Sequence, residues 1–166
     1  ALRRDALMGK PIDSNRITVA EHFEDWLRVK KTSVRSSTYL KYESHVLKDI
    51  VPVLGHIQLR TLDYRRINAF YEYLDEREPP LATRTIYDIA AILRSGLEDA
   101  VRKNLIPNNP GKLAAKRSRG DREARFLDQE ELTRFLNAAH GERLADGFIL
   151  AVNTGTRPGE WLGLSW

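Results

Sequence analysis

The sequence lacks several features that whole classes of proteins need. None of its 166 residues is cysteine, which excludes a disulfide framework, a Cys-ligated zinc site and a thiol nucleophile. Its apolar runs extend over a few residues only, whereas a transmembrane helix needs about 20, so we expect no membrane partner. The first residues lack the hydrophobic stretch of a secretory signal. Its four histidines are scattered without metal-ligand spacing, and we therefore predict no metal site.

Other absences concern position along the chain. No lysine follows Lys116 and no tyrosine follows Tyr87. The sequence does not begin with methionine, and it stops abruptly at Trp166. We therefore interpret it as a piece of a longer protein.

Positive charge is concentrated in one short segment. The whole sequence has a net charge of +4, and residues 112–125 alone hold six basic and two acidic residues. Because this segment has few large apolar side chains, we predict that it does not pack as a core element. It is either a basic linker that contacts a polyanion or a solvated tether between two folded parts.

The first two predicted helices follow from caps and apolar spacing. Thr18 and Glu21 form a capping-box pattern, and an apolar face with helical spacing follows them. Ser36 begins a second helix, which Pro52 bends or ends and Gly55 stops. The first face consists of Val19, Phe23, Trp26 and Leu27, and the second of Leu40, Leu47 and Leu54 with Val46 and Ile50 beside them.

Two more helices complete a predicted bundle. Asp63 is a candidate cap for the third helix and Thr83 for the fourth. Pro107 to Gly111 then form a strong breaker cluster. The third face holds Ile67, Phe70, Tyr71 and Leu74, and the fourth holds Ile86, Ile89, Ala90, Leu93, Leu97 and Val101. Four amphipathic helices in about 90 residues predict a compact helical bundle.

A second unit begins after the basic segment. Asp128 and Glu131 have capping-box spacing and Gly141 is a stop signal, which predicts a helix between them. A short apolar helix is expected over residues 144–153. Arg157 precedes Pro158 and therefore lies at or just before a helix start, where a cation is disfavoured and requires a partner. That partner is either Glu160 or a phosphate drawn to the free amides. Glu160 could alternatively close a capping box in an ordinary helix start.

The segment around Arg157 resembles the first catalytic box of tyrosine recombinases of the phage-integrase type. The matching pattern is Thr154-Gly155-x-Arg157-Pro158-x-Glu160-Trp161-Leu162-x-Leu164-x-Trp166. The preceding order is also similar, with a helical core-binding domain in which Gly55 ends the second helix, then Asn109-Pro110, a basic linker and Phe126-Leu127-Asp128. The resemblance covers roughly residues 18–166.

The resemblance implies a fold and a domain division. The expected fold class is mainly α, with a four- to five-helix core-binding (SAM-like) bundle and a linker. The helical beginning of a truncated mixed α/β catalytic domain follows. The expected ranges are an N-terminal tail over 1–15, interpreted as the end of an upstream DNA-binding module, the bundle over 16–111, the linker over 112–125 and the catalytic part over 126–166.

The resemblance also implies an activity. Members cleave and rejoin DNA through a 3′-phosphotyrosyl intermediate, with no metal and no other cofactor. Arg157 matches the first catalytic arginine, which forks onto the scissile phosphate as charge develops, and Glu160 matches the acidic residue that supports it. The implied partners are double-stranded DNA, three further copies in a homotetramer on DNA, and accessory DNA-bending or directionality proteins. The implied location is the cytoplasm, in association with the nucleoid.

The sequence departs from the family pattern in one respect that matters for chemistry. All six tyrosines precede Arg157, and no lysine follows it, so the nucleophile and the catalytic lysine have no counterpart. His140 and Arg143 mimic a His-x-x-Arg motif, but they lie before Arg157 rather than after it, and we interpret them as a helix end and a surface arginine. The 166 residues are therefore expected to bind DNA without cleaving it.

The candidate DNA contacts are polar and basic residues at the starts of the second and fourth helices and in the linker, where they suit the phosphate backbone. They are Arg35, Thr38, Lys41 and Tyr42, then Thr83, Arg84, Thr85 and Tyr87, and finally Lys116, Arg117 and Arg119. A solvated polar face is the alternative for each group, and Tyr42 and Tyr87 are alternatively core edges. Two other functions stay open, namely a non-catalytic DNA-binding regulator and a helical protein-interaction module.

Overall fold

The computed structural model describes residues 16–120 and 126–164. Every regular element in these ranges is helical, which confirms the mainly α prediction, and no helix there is long and apolar enough to cross a membrane. The chain divides into two compact units, Ala1–Asp121 and Arg122–Trp166. The predicted tail over 1–15, linker residues 121–125 and Trp166 lie outside the described residues.

Unit 1 is the predicted helical bundle. A π-helical turn, Val46–Ile50, joins α2 to α3, and single 3₁₀ turns lie at Leu59–Thr61 and Pro110–Lys112. The helices are α1 (Val19–Ser33), α2 (Ser36–His45), α3 (Val51–Leu54), α4 (Tyr64–Asp75) and α5 (Thr83–Arg102).

The helix starts confirm two of the three predicted caps. The Thr18 hydroxyl accepts a hydrogen bond from Glu21 N, and the Glu21 carboxylate accepts one from Thr18 N at 2.9 Å. The Asp63 carboxylate accepts one from Arg66 N at 2.9 Å. The prediction for Thr83 is wrong, because Ala82 takes the N-cap position without a side-chain hydrogen bond. Thr83 is instead the first helical residue.

The core of unit 1 forms around α5, which contacts α1, α2, the π turn and α4. The apolar faces predicted for α1 and α4 are fully buried. The face predicted for α5 is buried from Ile86 to Leu97, while Val101 packs at its edge. One long amphipathic helix therefore organises the bundle.

The predicted leucine stripe on the second helix is wrong. Leu40 and Leu47 are 61% and 57% exposed, whereas Leu54 is buried. The reason is the π turn, in which the Val51 N–H bonds to Val46 O and one extra residue breaks the heptad phase. Pro52 lies directly after this turn and has no N–H to continue a regular ladder. The core side instead comprises Val46, Ile50 and Leu54.

The α1–α5 contact is unusually close at Gly96. The ring of Phe23 lies where a Cβ on Gly96 would project, and Phe23 is itself fully buried. His22 lies beside it, with Nε2 donating to the Gly96 carbonyl at 2.8 Å. Burial lowers the pKa of His22, so the imidazole is held neutral.

Unit 2 contains α6 (Gln129–Ala139), α7 (Ala145–Thr154) and α8 (Pro158–Trp161). Asp128 and Glu131 form the predicted capping box of α6. Each helix contributes one aromatic ring to a row, with Phe135 to Phe148 at 5.7 Å and Phe148 to Trp161 at 6.5 Å between centroids. These edge-to-face contacts connect the three helices.

We predict that Gly96→Ala destabilises unit 1 by about 1–3 kcal/mol, because its methyl group would overlap a ring that has no room to move. The free energy of unfolding from urea denaturation, followed by the fluorescence of buried Trp26, measures the loss. Ser95→Ala, at the neighbouring exposed position of α5, is the control and should change stability by less than about 0.5 kcal/mol. Equal stability of Gly96→Ala and wild type would contradict the close contact.

Candidate nucleic-acid interface

The first halves of α2 and α5 lie side by side, which brings two of the predicted DNA-contact groups together. Lys41 Nζ on α2 lies 2.6 Å from Asp88 Oδ2 on α5, and Arg84 Nε lies 3.4 Å from the same oxygen. The side chains of Lys41 and Arg84 remain 45% and 48% exposed. The two helices therefore present their cations on one face.

A cleft of about 470 Å³ lies between these two helices. Its lining carries hydroxyl, ammonium and carboxylate groups and also includes the apolar residues Ala91 and Ile92. Hydrogen-bonding groups of this kind suit the sugar-phosphate backbone and base edges. The polar lining consists of Ser37, Thr38, Lys41, Tyr42, Asp88 and Ser95.

The two predicted tyrosine contacts differ in their surroundings. Tyr42 is half-buried and stacks on Trp26, with the centroids 5.3 Å apart and an interplanar angle of 30°. Tyr42 is thus a core edge that also lines the cleft. Tyr87 lies one turn after Arg84, whose guanidinium carbon is 6.0 Å from the ring centroid, so this ring supports a cation of the same face.

The remaining polar candidates on the bundle occupy the helix starts. Arg35 is the N-cap residue of α2 and is exposed, as is Thr83 at the first position of α5. Thr38 and Thr85, further along each helix, are half-buried. All four lie near the starts of the two helices that line the cleft.

Asp88 is the shared ion-pair partner of Lys41 and Arg84, and it is not among the contacts predicted from the sequence. Burial alone would raise the pKa of this carboxyl, but the hydrogen bonds and charges of Lys41 and Arg84 outweigh it and hold the pKa below its usual range. Asp88 is therefore ionised at neutral pH. The only local signal was its i,i+4 spacing from Arg84.

The described part of the basic segment packs on the bundle, contrary to the prediction that it stays unpacked. Ala114 is buried in the core, and Ala115 N donates to Asn68 Oδ1 at 2.8 Å. The Arg117 guanidinium pairs with Asp75 at 2.7 Å and lies 5.0 Å from the centroid of the Tyr71 ring. We call residues 112–117 the strap, because they tie the segment to α4.

The three predicted linker contacts are thus unlike one another. Arg117 is engaged within the bundle, whereas Lys116 and Arg119 are exposed. Gly120 lies close to the Thr83 side chain at the start of α5. The chain therefore runs from the strap past Arg119 toward the first residue of the helix that carries Arg84.

Asn109 anchors the start of the strap. Its carboxamide NH₂ donates to Arg94 O and to Glu98 Oε2, and its oxygen accepts a hydrogen bond from Gly111 N. The hydrogen bonds of Asn109 and of Lys112 lower the pKa of Glu98. The Asn-Pro dipeptide signalled a turn here, but its contacts with α5 could not be deduced from that signal.

In unit 2 the structure places Arg157 at the predicted helix start. Gly155 ends α7 with φ of +70°, a conformation that glycine adopts without strain, and Arg157 is the N-cap residue of α8. Glu160 Oε2 accepts a hydrogen bond from the Arg157 backbone N at 2.8 Å. Glu160 therefore closes the turn through the Arg157 backbone rather than through its guanidinium, as in the capping-box alternative.

The Arg157 side chain projects outward. It is exposed, and its guanidinium makes no ion pair within residues 16–120 and 126–164. His140 ends α6 and is exposed, as is Arg143, which agrees with their interpretation as a helix end and a surface arginine. In the same two ranges, no three side chains form a metal-binding group.

The fold of unit 1 defines its class. Residues 18–75, which span α1 to α4, match the family described as "Phage integrase, N-terminal SAM-like domain". Over these residues unit 1 is therefore similar to the SAM-like domain of phage integrases, in agreement with the predicted helical bundle.

Curated relatives extend the similarity over most of the chain. A tyrosine recombinase XerC-like protein of Caldanaerobacter subterraneus subsp. tengcongensis is 27% identical over 95% of this chain and 42% of its own length. An integrase of Saccharopolyspora erythraea is 25% identical over 90% of this chain and 34% of its own length. These matches confirm the resemblance to tyrosine recombinases of the phage-integrase type. The chain spans between about a third and two fifths of the relatives it matches.

Solved structures agree with this class. An integrase-like domain from Bacillus cereus superposes with a TM-score of 0.59 at 28% identity, over 66% of this chain and 90% of its own. The Tn1549 transposon integrase superposes with a TM-score of 0.72 over 90% of this chain and 50% of its own. At 19% identity, the second likeness concerns the fold alone.

We predict that Arg117→Met loosens the strap, because it removes the ion pair with Asp75 and the cation–π contact with Tyr71. Together these contribute about 1 kcal/mol. Cleavage after Lys116 by a lysine-specific protease should then become about fivefold faster, since cleavage follows the population of the open form. Arg119→Met, an exposed arginine of the same segment, should leave the rate unchanged. Equal rates for both variants would show that Arg117 does not hold the strap.

Proposed function

We propose that this chain is the DNA-binding part of a site-specific DNA recombinase of the tyrosine class. Its bundle binds duplex DNA with the face on which α2 and α5 converge. The observation that carries this proposal is that Lys41 and Arg84, two exposed cations from separate helices, meet at Asp88, which together with Lys41 lines a cleft that also carries hydroxyl groups. Cations and hydroxyls arranged in this way match a phosphate backbone.

The comparisons support the same proposal. The Tn1549 transposon integrase, whose fold this chain shares, was solved in complex with circular intermediate DNA. Lys116 and Arg119 extend the cationic surface along the exposed part of the basic segment. Thr38, Thr83 and Thr85 add hydroxyls near the same helix starts.

The chemistry that we propose for the complete protein is transesterification. A tyrosine hydroxyl gives its proton to a general base and attacks the scissile phosphorus, so that the 3′-phosphotyrosyl bond forms. The bond from phosphorus to the 5′-oxygen breaks, and the 5′-hydroxyl leaves with a proton from a general acid. A 5′-hydroxyl of a second strand then reverses the step, so neither metal nor cofactor is consumed. Arg157 donates two N–H groups to the non-bridging oxygens as charge develops. Glu160 is a positioning residue that fixes the Arg157 turn through its backbone.

The 166 residues themselves are proposed to bind DNA without cleaving it. Every tyrosine lies in unit 1, before Arg157, and no lysine follows Lys116. Cleavage then requires residues that this chain does not supply. The complete protein is proposed to act as a homotetramer on DNA with accessory DNA-bending or directionality proteins, in the cytoplasm at the nucleoid. A regulator that binds DNA without chemistry is the outcome if a complete protein proves unable to cleave.

DNA binding by the chain should be strongly salt-dependent. The logarithm of the binding constant should fall linearly with the logarithm of the salt concentration, with a slope of about −0.9 per phosphate contact. Lys41→Met and Arg84→Met should each weaken binding and reduce that slope by about 0.9. Arg66→Met, an exposed arginine of α4 outside the cleft, is the charge-matched control. Fluorescence anisotropy with a 30-base-pair duplex measures these values, and affinity that is flat in salt would contradict the proposal.

Removal of the Arg157 side chain should separate binding from chemistry. In the complete protein, Arg157→Ala should lower the rate of strand cleavage by at least about 100-fold, the usual effect of losing a donor to a developing oxyanion. Affinity for the recombination site should stay within about threefold of wild type. Covalent adducts on denaturing gels and gel shifts measure the two quantities. The 166-residue chain should give no covalent adduct, and an adduct would contradict its proposed inactivity.

A further inference from the structure

One carboxylate lies within the cationic face that is proposed to meet DNA. Among the described residues that line the cleft between α2 and α5, Asp88 is the single acidic one. One of its oxygens, Oδ2, bonds to both Lys41 and Arg84. The two cations thus share one counter-ion, although they come from different helices and from positions 43 residues apart in the sequence.

The position of Asp88 favours strong competition with a phosphate. Its side chain is 18% exposed, whereas those of Lys41 and Arg84 are 45% and 48% exposed. The carboxylate is therefore held at the wall of the cleft while its partners extend toward solvent. A DNA phosphate that recruits either cation must share it with Asp88 or displace Asp88 as the acceptor. Each choice reduces the gain from the phosphate contact.

We propose that Asp88 is an internal counter-ion that weakens sequence-independent DNA binding by occupying Lys41 and Arg84. This inference rests on the proposed function, because it assigns a role to Asp88 within the proposed interface. Sequence-independent affinity comes almost entirely from phosphate neutralisation and counterion release. A carboxylate within the interface lowers this sequence-independent affinity equally on every DNA sequence. Base-edge contacts are unaffected, so they supply a larger share of the binding free energy at a specific site.

A positioning role for Asp88 predicts the opposite sign. If Asp88 served to orient the Lys41 ammonium toward a phosphate, its removal would leave the flexible lysine side chain without a fixed conformation, and binding would weaken. If Asp88 competes with phosphate, its removal frees the two cations, and binding tightens. The sign of the change therefore separates the two roles.

The test is Asp88→Asn, which keeps the shape of the side chain and removes its charge. We expect the affinity for two unrelated 30-base-pair duplexes to rise about 3- to 10-fold at 100 mM salt, equally for both. The slope of log affinity against log salt should steepen by about 0.9, the value for one more neutralised phosphate. Fluorescence anisotropy over a salt series, performed on the 166-residue chain, measures both quantities.

Two controls show whether the effect comes from the cleft. Glu72→Gln makes the same change in net charge at an exposed position of α4 that does not line the cleft, and it should raise affinity by less than twofold. The double variant Lys41→Met/Asp88→Asn should lose at least half of the gain, because one of the released cations is then missing. Circular dichroism verifies folding, and Asp88→Ala, a better helix former, replaces any Asp88→Asn protein that unfolds.

These measurements distinguish a failure of the Asp88 proposal from a failure of the proposed function. If wild type binds duplex DNA but Asp88→Asn binds equally or more weakly, the competing role of Asp88 is wrong and the proposed interface stands. If Glu72→Gln tightens binding as much as Asp88→Asn, the effect is one of overall charge and the inference is also overturned. If wild type binds no duplex at any salt concentration, the proposed function fails, and the role of Asp88 fails with it.

Discussion

The packing of α1 against α5 is the contact on which the rest of the bundle depends. Phe23 reaches the α5 backbone because residue 96 has no side chain, and His22 bonds to the carbonyl of the same residue. This contact fixes the 20-residue helix on which α2, the π turn and α4 also pack. The Trp26 ring, one turn further along α1, then supports Tyr42 at the edge of the cleft. The candidate interface is thus built directly on the core.

Local rules of sequence identified most helix starts correctly. The Thr18 and Asp63 caps require only residues within one turn, and such interactions are readable from spacing. The leucine stripe failed because Pro52 is accommodated by a π turn that shifts the helical phase. Thr83 failed as a cap because the chain enters α5 one residue earlier than its composition suggests. Both errors arise where backbone geometry, rather than side-chain type, determines the register.

The sequence located the cations of the candidate interface but not their partners. Arg35, Lys41 and Arg84 were singled out because each stands near the start of an amphipathic helix. The pairing of Lys41 with Asp88 joins residues 47 positions apart, and that of Arg117 with Asp75 joins residues 42 apart. No periodicity within one helix predicts such contacts, since they depend on how the helices pack. The sequence therefore indicates that the face is positively charged. The carboxylates that pair with its cations can be identified only from the fold.

The two proposed roles for cations require different electrostatic environments, and the two units supply them. Lys41 and Arg84 share a carboxylate, which weakens their hold on phosphate and keeps that contact reversible. At Arg157 the nearby acidic residue, Glu160, bonds to the backbone N–H instead. A guanidinium that stabilises charge developing in a transition state gains most when no carboxylate competes for its donors. In the bundle, the Asp88 carboxylate thus restrains Lys41 and Arg84. In unit 2, the Glu160 carboxylate bonds to the backbone and leaves the Arg157 guanidinium available.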